Sequence, residues 1–231
     1  VRVEVVNNIG IDEGVGLMLE IYITRHGETE WNRIRRFQGQ GDSELTELGK
    51  QQAAWLGQRL KNIGIKTIYS SPLGRAKHTS EIMNAYIGGK IIYDDRLKEM
   101  HVGDWEGRMI SEIEIEMPTV HSDFWHNPKE FSVEGQESFE SVQNRAAEFF
   151  ESLLKKHSSG RIFIVAHAIV IKGLLNYIQG RDVEHFWEGK HILPTSLTRI
   201  NADEDRLSVV YMSDVSHYEK PMEQGWFIDE V

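Results

Sequence analysis

A short β-rich run, Leu19-Glu20-Ile21-Tyr22-Ile23, leads directly into Thr24-Arg25-His26-Gly27-Glu28-Thr29, and this junction constrains the fold more than any other stretch. A strand that stops at Arg-His-Gly sets those side chains at the carboxyl edge of a sheet, where open α/β folds bind ligands. Arg25 carries a planar fork of donors suited to phosphate oxygens. His26 carries a ring nitrogen that can attack phosphorus or accept a proton near neutral pH. Gly27 lets the backbone turn and approach a ligand closely. Taken alone, Arg-His-Gly is weak evidence, because a His is more often a hydrogen-bonded structural residue and both side chains can merely end a strand.

The chain beyond this junction alternates helical and strand patterns. Leu45, Leu48, Leu56, Leu60 and Ile63 fall at helical spacing, in a helix that ends near Gly64. Thr67-Ile68-Tyr69 reads as a second strand. Ser70-Ser71-Pro72 then turns into a helix with Arg75 in its first turn, whose free N–H groups offer a site for an anion. Ile91-Ile92-Tyr93 reads as a third strand. Residues 108–137 are less regular: Ile110, Ile113 and Met117 suggest a short helix stopped by Pro118, and Phe124 to Pro128 suggest another. This insertion is expected to overhang the sheet edge as one wall of a pocket. A long helix follows from Ser138 to His157. Ile162-Phe163-Ile164-Val165 is a continuous apolar run, the mark of a buried strand, and it delivers His167 much as the first strand delivers His26. A helix over Ile169–Ile178, strands over Ser196–Ile200 and Leu207–Tyr211, and a polar tail from Asp214 complete the pattern. Residues 1–17 read as an extension without a catalytic part, ahead of a domain over 18–231. The other reading of that segment is a hairpin beginning with the alternating Val1-Arg2-Val3-Glu4-Val5.

The 231 residues carry a net charge of −10, which argues against broad binding to nucleic acid or anionic membranes. Arg25, Arg33, Arg35, Arg36 and Arg75 are nonetheless enough to make one cleft positive for a small phosphorylated substrate. With no cysteine there is no disulfide, thiolate nucleophile or zinc–thiolate site. The ten histidines show no His-Glu-x-x-His spacing, and His121 and His126 read as parts of a solvated loop. No apolar run approaches the roughly 18 residues that span a bilayer, and a cytoplasmic protein is the expectation.

Three later stretches join the first: Ser70-Ser71-Pro72-Leu73-Gly74-Arg75-Ala76, then Leu97 to Gly107 with Glu99-Met100-His101-Val102-Gly103-Asp104-Trp105-Glu106-Gly107, then Ile164-Val165-Ala166-His167-Ala168. In this order, from about residue 18 to residue 217, they resemble the histidine phosphatase superfamily, also called the phosphoglycerate mutase-like family. The resemblance implies a single three-layer α/β domain, a mostly parallel sheet flanked by helices. It implies His26 as the nucleophile, giving a phosphohistidine that water hydrolyses, and Glu99 as the general acid. Among the nearby carboxyls Asp95, Asp104 and Glu106, only the match to the family loop selects Glu99. A carboxyl enclosed beside aromatic rings, or close to a bound dianion, would carry its proton near neutrality.

The resemblance further implies that Arg25, Asn32, Gln38, Arg75, His167 and the N–H of Ala168 contact the phosphate, with no metal and no cofactor. Viewed by themselves, Asn32 and Gln38 are also ordinary loop residues, and His167 an ordinary core histidine. The family usually has Gly where Ala168 stands, and a Ser or Thr where Ala166 stands. The insertion offers only Arg108 and Lys129 as basic residues beside Phe124, Trp125 and Phe131, a wall that suits an organic group better than a second anion. The C-terminal Asp214-Val215-Ser216-His217-Tyr218-Glu219 also is similar to the bacterial broad-specificity phosphatases of the family. A phosphomonoesterase is therefore expected, the alternatives being a phosphoglycerate mutase and a non-catalytic member that binds a phospho-ligand.

Overall fold

Strands form in this chain where β-branched and apolar residues cluster between turn residues, and helices where apolar residues recur every three or four positions. The computed structural model describes residues 2–5, 18–203 and 206–220. Its elements run in the order β1 (Arg2–Val5), β2 (Leu19–Arg25), α1 (Glu30–Arg33), α2 (Glu47–Leu60), β3 (Thr67–Ser70), α3 (Gly74–Ile87) and β4 (Lys90–Tyr93). There follow α4 (Ile110–Glu116), α5 (Pro118–His126), α6 (Phe139–Lys156), β5 (Gly160–Ala166), α7 (Ala168–Gln179), β6 (Leu197–Ala202) and β7 (Arg206–Asp214). The described strands make one sheet in the order β1-β7-β6-β2-β5-β3-β4. β6 runs antiparallel to both of its neighbours, and the other pairings are parallel.

Helices cover both faces of the sheet. Successive side chains of a strand point to opposite faces, so β2 and β5 serve two cores at once. On one face Tyr22, Phe163 and Val165 meet Ala53, Leu56 and Leu60 of α2 and Met83 of α3. On the other, Ile21, Ile23, Ile162 and Ile164 meet Phe149 and Phe150 of α6 and Val170, Ile171 and Leu174 of α7. This is why the β5 sequence is apolar without alternation. Ser138 caps α6 by accepting from the Ser141 N–H, and Gly180, at φ 66°, ends α7 in a left-handed turn.

Sheet order places the candidate residues. Arg25 is in register with Ala166, and the His26 N–H donates to the Ala166 carbonyl at 3.0 Å, so His26 and His167 leave the sheet edge side by side. β3 flanks β5 on its other side, and the Ser71 N–H donates to the Val165 carbonyl at 2.9 Å before α3 begins.

Two expectations differ from the structure. Pro118 does not only stop a helix; it occupies the first turn of α5, which runs on to His126, because an N-terminal Pro gives up no intrahelical hydrogen bond. His121 and His126 accordingly lie on a helix, not in a solvated loop, and the His121 Nε2 accepts from the Trp125 indole at 3.3 Å. The polar tail from Asp214 is tied to the domain: Arg59 binds the Asp214 carboxylate at 2.5 Å, and the Tyr218 hydroxyl donates to the Pro194 carbonyl. Arg2–Val5 forms a strand that pairs in parallel with β7; residues 6–17, where the second arm of the hairpin reading falls, lie outside the described residues.

The turn after β2 is pressed against the first turn of α2. A Cβ on Gly27 would stand 2.5 Å from the Gly49 carbonyl oxygen, and one on Gly49 would stand 2.1 Å from the Glu28 carbonyl oxygen. Both neighbours are backbone, which cannot swing aside. Gly49→Ala is therefore expected to lose about 1–3 kcal/mol of stability, despite the better helix propensity of Ala, as read from urea unfolding midpoints at an unchanged m-value.

Candidate active site

His26 is 2 % exposed, and its Nδ1 lies 2.7 Å from its neighbour Gly27's carbonyl oxygen. A carbonyl only accepts, so Nδ1 carries the proton and Nε2 presents its lone pair. The Arg75 Nε–H donates to that Nε2 at 3.2 Å. Burial holds the imidazole pKa well below the ordinary histidine value, and the positive charges of Arg75 and then Arg25 push it further down. The ring is thus an unprotonated base facing two cations. Thr79 steadies the Gly27 peptide, accepting from the Gly27 N–H at 3.0 Å and donating to the Arg75 carbonyl at 2.7 Å.

Arg75 is aimed by a loop. Its Nη1 and Nη2 donate to the carbonyls of Gly41 and Gly39, each at 2.7 Å, which spreads the fork and leaves Nε on His26. The loop is held from behind by Glu106, whose carboxylate accepts from the Gln40 N–H at 2.7 Å and the Gly41 N–H at 3.1 Å. Gly39 sits at φ 52°, and a Cβ there would strike the Glu106 carboxylate. The anion at the start of α3 belongs to the protein itself: the Arg75 N–H donates to Asp42 Oδ1 at 3.2 Å. That helix end is therefore not the open anion site the Ser-Ser-Pro turn suggested.

His167 is fully buried, its ring centroid 5.2 Å from that of His26. Its Nε2 lies 2.7 Å from Ser71 Oγ, which already accepts from the Leu73 N–H at 3.3 Å. The Ser71 hydroxyl has one donor and two acceptor sites, so it pairs with Nε2 in either tautomer, while the His167 Nδ1 is a buried atom with no protein partner. Burial and the nearby Arg75, His26 and Arg25 hold this imidazole well below its ordinary value too.

Glu99, 8 % exposed, accepts from its neighbour's Met100 N–H at 3.0 Å and from the Ile169 and Val170 N–H groups of α7, both at 3.2 Å. Arg145 of α6 fixes the segment just before it, donating to the Arg96 and Lys98 carbonyls at 2.7 and 2.6 Å.

His26, Arg75 and Glu99 line one cavity of about 820 Å³, together with Arg25, Asn32, Gln38 and Ala168, and the fully buried His167 lies behind its wall. Arg25 donates to the Ile192 carbonyl at 3.0 Å, and its Nε is buried without a partner. Burial draws its pKa down to about 10, Glu99 opposing that shift and Arg75 adding to it. Gln38 Oε1 is likewise buried and unpartnered. Asn32 Oδ1 accepts from the Thr29 N–H at 3.2 Å in a local capping box. Ala168 opens α7 in a helical conformation. Arg35 and Arg36 line the cavity, whereas Arg33 does not; it pairs with Glu30 on the surface. Glu106, Asp42, Ser71, Thr79 and Lys172 had no assigned role in the sequence. Each works through a backbone group or a residue distant in the chain, so no local spacing marked it. Among the described residues no group of three or more His, Asp and Glu is placed to hold a metal ion, and no helix is long and apolar enough to cross a membrane.

The family model of the histidine phosphatase superfamily, branch 1, matches residues 21–215. The chain belongs to that superfamily. It is 34 % identical over 211 residues to the probable phosphoglycerate mutase GpmB of Salmonella paratyphi B, covering 88 % of this chain and 97 % of the relative. Among solved structures it resembles Bacillus stearothermophilus YhfR at a TM-score of 0.83 and 39 % identity, over 86 % of this chain and 98 % of that one. It also resembles a mycobacterial glucosyl-3-phosphoglycerate phosphatase at 0.77 and 25 %, over 85 % and 99 %.

As in any member of the superfamily built on buried imidazoles, these histidines should leave a mark on stability. His26 and His167 have native values well below 6.5, and burial beside Arg59 brings His217 to about 4. Below pH 6.5 the unfolded chain takes up protons that the native chain refuses. Stability is thus at its full value above that pH and falls as pH drops through it, by up to about 1.4 kcal/mol per pH unit for each histidine. Urea titrations between pH 7 and pH 5 should show the loss, and a flat profile would contradict the burial of these rings. Ser71→Ala is expected to leave the His167 Nε2 without its partner, visible in ring nitrogen NMR shifts, and to lower kcat/KM about tenfold.

Proposed function

We propose that this protein is a phosphomonoesterase that hydrolyses small phosphorylated metabolites, with broad specificity, through a phosphohistidine intermediate. The observation that carries the reading is the proton-free Nε2 of His26, locked by the Gly27 carbonyl and set among Arg25, Arg75 and His167. Phosphoryl transfer asks for charge neutralisation, an in-line nucleophile and a proton for the leaving oxygen. Arg25, Arg75 and the unpartnered Nδ1 of His167 supply the first, together with the Ala168 N–H; Asn32 and Gln38 take the remaining phosphate contacts. The His26 Nε2 lone pair forms the P–N bond as the ester P–O bond breaks, and the leaving oxygen takes a proton from Glu99. In the second half, Glu99 takes a proton from water, the water oxygen bonds to phosphorus, and the P–N bond returns its electrons to Nε2.

Hydrolysis is favoured over mutase chemistry by the insertion. Phe124 and Trp125 line the cavity, while Arg108 and Lys129 pair with Glu116 and Glu184. Neither basic residue of this wall is free to grip a second anion of a bisphosphate. The mutase reading keeps one support, the name of the Salmonella relative. Phosphorus NMR of the protein with 3-phosphoglycerate and a trace of 2,3-bisphosphoglycerate separates the two. Accumulating inorganic phosphate is the expected result; conversion to 2-phosphoglycerate with little free phosphate would overturn it.

A further inference from the structure

The cavity is larger than a phosphate needs, and its other cations are not equally occupied. Arg25 and Arg75 donate to main-chain carbonyls, and Lys172 donates to the Trp187 and Glu188 carbonyls at 3.1 and 2.5 Å. Arg36 stands apart. Its main chain is anchored, the N–H donating to the Trp31 carbonyl at 2.9 Å and the residue bridging to Met109. Its guanidinium carbon lies 5.6 Å from the Trp31 ring centroid, so the aromatic face supports the cation from one side. Yet Nε is buried with no partner, and among the described residues no carboxylate lies within ion-pair distance of it. A buried guanidinium donor is costly to leave unpaired, and a planar fork with free N–H groups is shaped for a carboxylate or phosphate.

We propose that Arg36 is a specificity-determining residue that binds a second anionic group, a carboxylate or a phosphate, on the organic part of the phosphomonoester. The proposal rests on the phosphomonoesterase reading of the cavity. It places the receptor for that group on the loop after α1, opposite in character to the aromatic wall of the insertion. Phe124, Trp125 and Trp187 then cover the carbon skeleton between the two charges.

The test compares ligands that differ in the second charge: 3-phosphoglycerate against glycerol 3-phosphate, and fructose 1,6-bisphosphate against fructose 6-phosphate. Affinities are measured by calorimetry on His26→Ala, so that no ester is consumed. One charge-assisted contact should favour the doubly anionic member of at least one pair by about 10- to 100-fold. The pair that responds tells carboxylate from phosphate. Adding Arg36→Gln should bring that ratio close to one, and Arg36→Lys should restore part of it, which a merely structural Arg36 would not do. Ratios near one before Arg36 is touched, or a preference that survives Arg36→Gln, would overturn the proposal; the first arm needs no Arg36 variant to fold. Phosphate release by the intact chain is followed separately, so a failure of hydrolysis would count against the phosphomonoesterase reading while the affinity ratio still judged Arg36.

Discussion

Replacing His26 with Ala should abolish the acid-labile phosphoryl label that a phosphorylated substrate leaves on the protein, and should lower kcat/KM by about 10⁴-fold or more. The size follows from the site. No other unprotonated side-chain nitrogen stands where Arg75 delivers its Nε–H, and His167, the nearest ring, is committed to Ser71 through Nε2. The variant should fold, because the smaller side chain removes no partner except the neighbouring Gly27 carbonyl and the Arg75 Nε–H. Rapid acid quench with a ³²P-labelled ester, followed by hydrolysis of the label at low and high pH, gives the measurement. Label that survived in His26→Ala would assign the nucleophile to another residue.

Arg75→Lys is the second large effect. The charge stays, but an ammonium on a single stem cannot reach the Gly39 carbonyl, the Gly41 carbonyl and His26 Nε2 from one fixed plane. A drop in kcat/KM of about 10²–10³ is expected, the range seen when one preorganised donor to a transition-state oxygen is lost. Steady-state rates at pH 7 on a simple aryl phosphate would measure it. A variant within a few-fold of the parent would show that charge alone suffices and that the fork geometry has no catalytic value.

The parts of the site that the sequence made legible are those joined to a strand end. Arg25, His26 and His167 follow β2 and β5 directly, and strand patterns in Leu19–Ile23 and Ile162–Val165 are strong because both faces of the sheet are covered. Arg75 was legible through the turn into α3. What stayed hidden depends on contacts between distant segments. Glu106 was weighed only as a rival of Glu99, and its grip on the Gln40 and Gly41 amides is a tertiary fact. Asp42 filling the end of α3 belongs to the same class, as does Ser71 meeting the His167 Nε2. The edge strand β1 could not be paired from its alternation, since its partner β7 lies some 200 positions away. The start of α5 is hidden in the sequence because Pro118 carries both signals, ending one helix and opening the next.

The order β2-β5-β3 also bears on how the protein is made. β2 and β3 leave the ribosome early, yet neither can pair with the other, since β5 lies between them and is synthesised about ninety residues after β3 ends. At roughly 5–20 residues per second the two strands wait for seconds with bare edges. The nascent chain is in that interval a candidate for chaperone capture, and only the insertion of β5 brings the loops carrying His26 and Arg75 to the same edge.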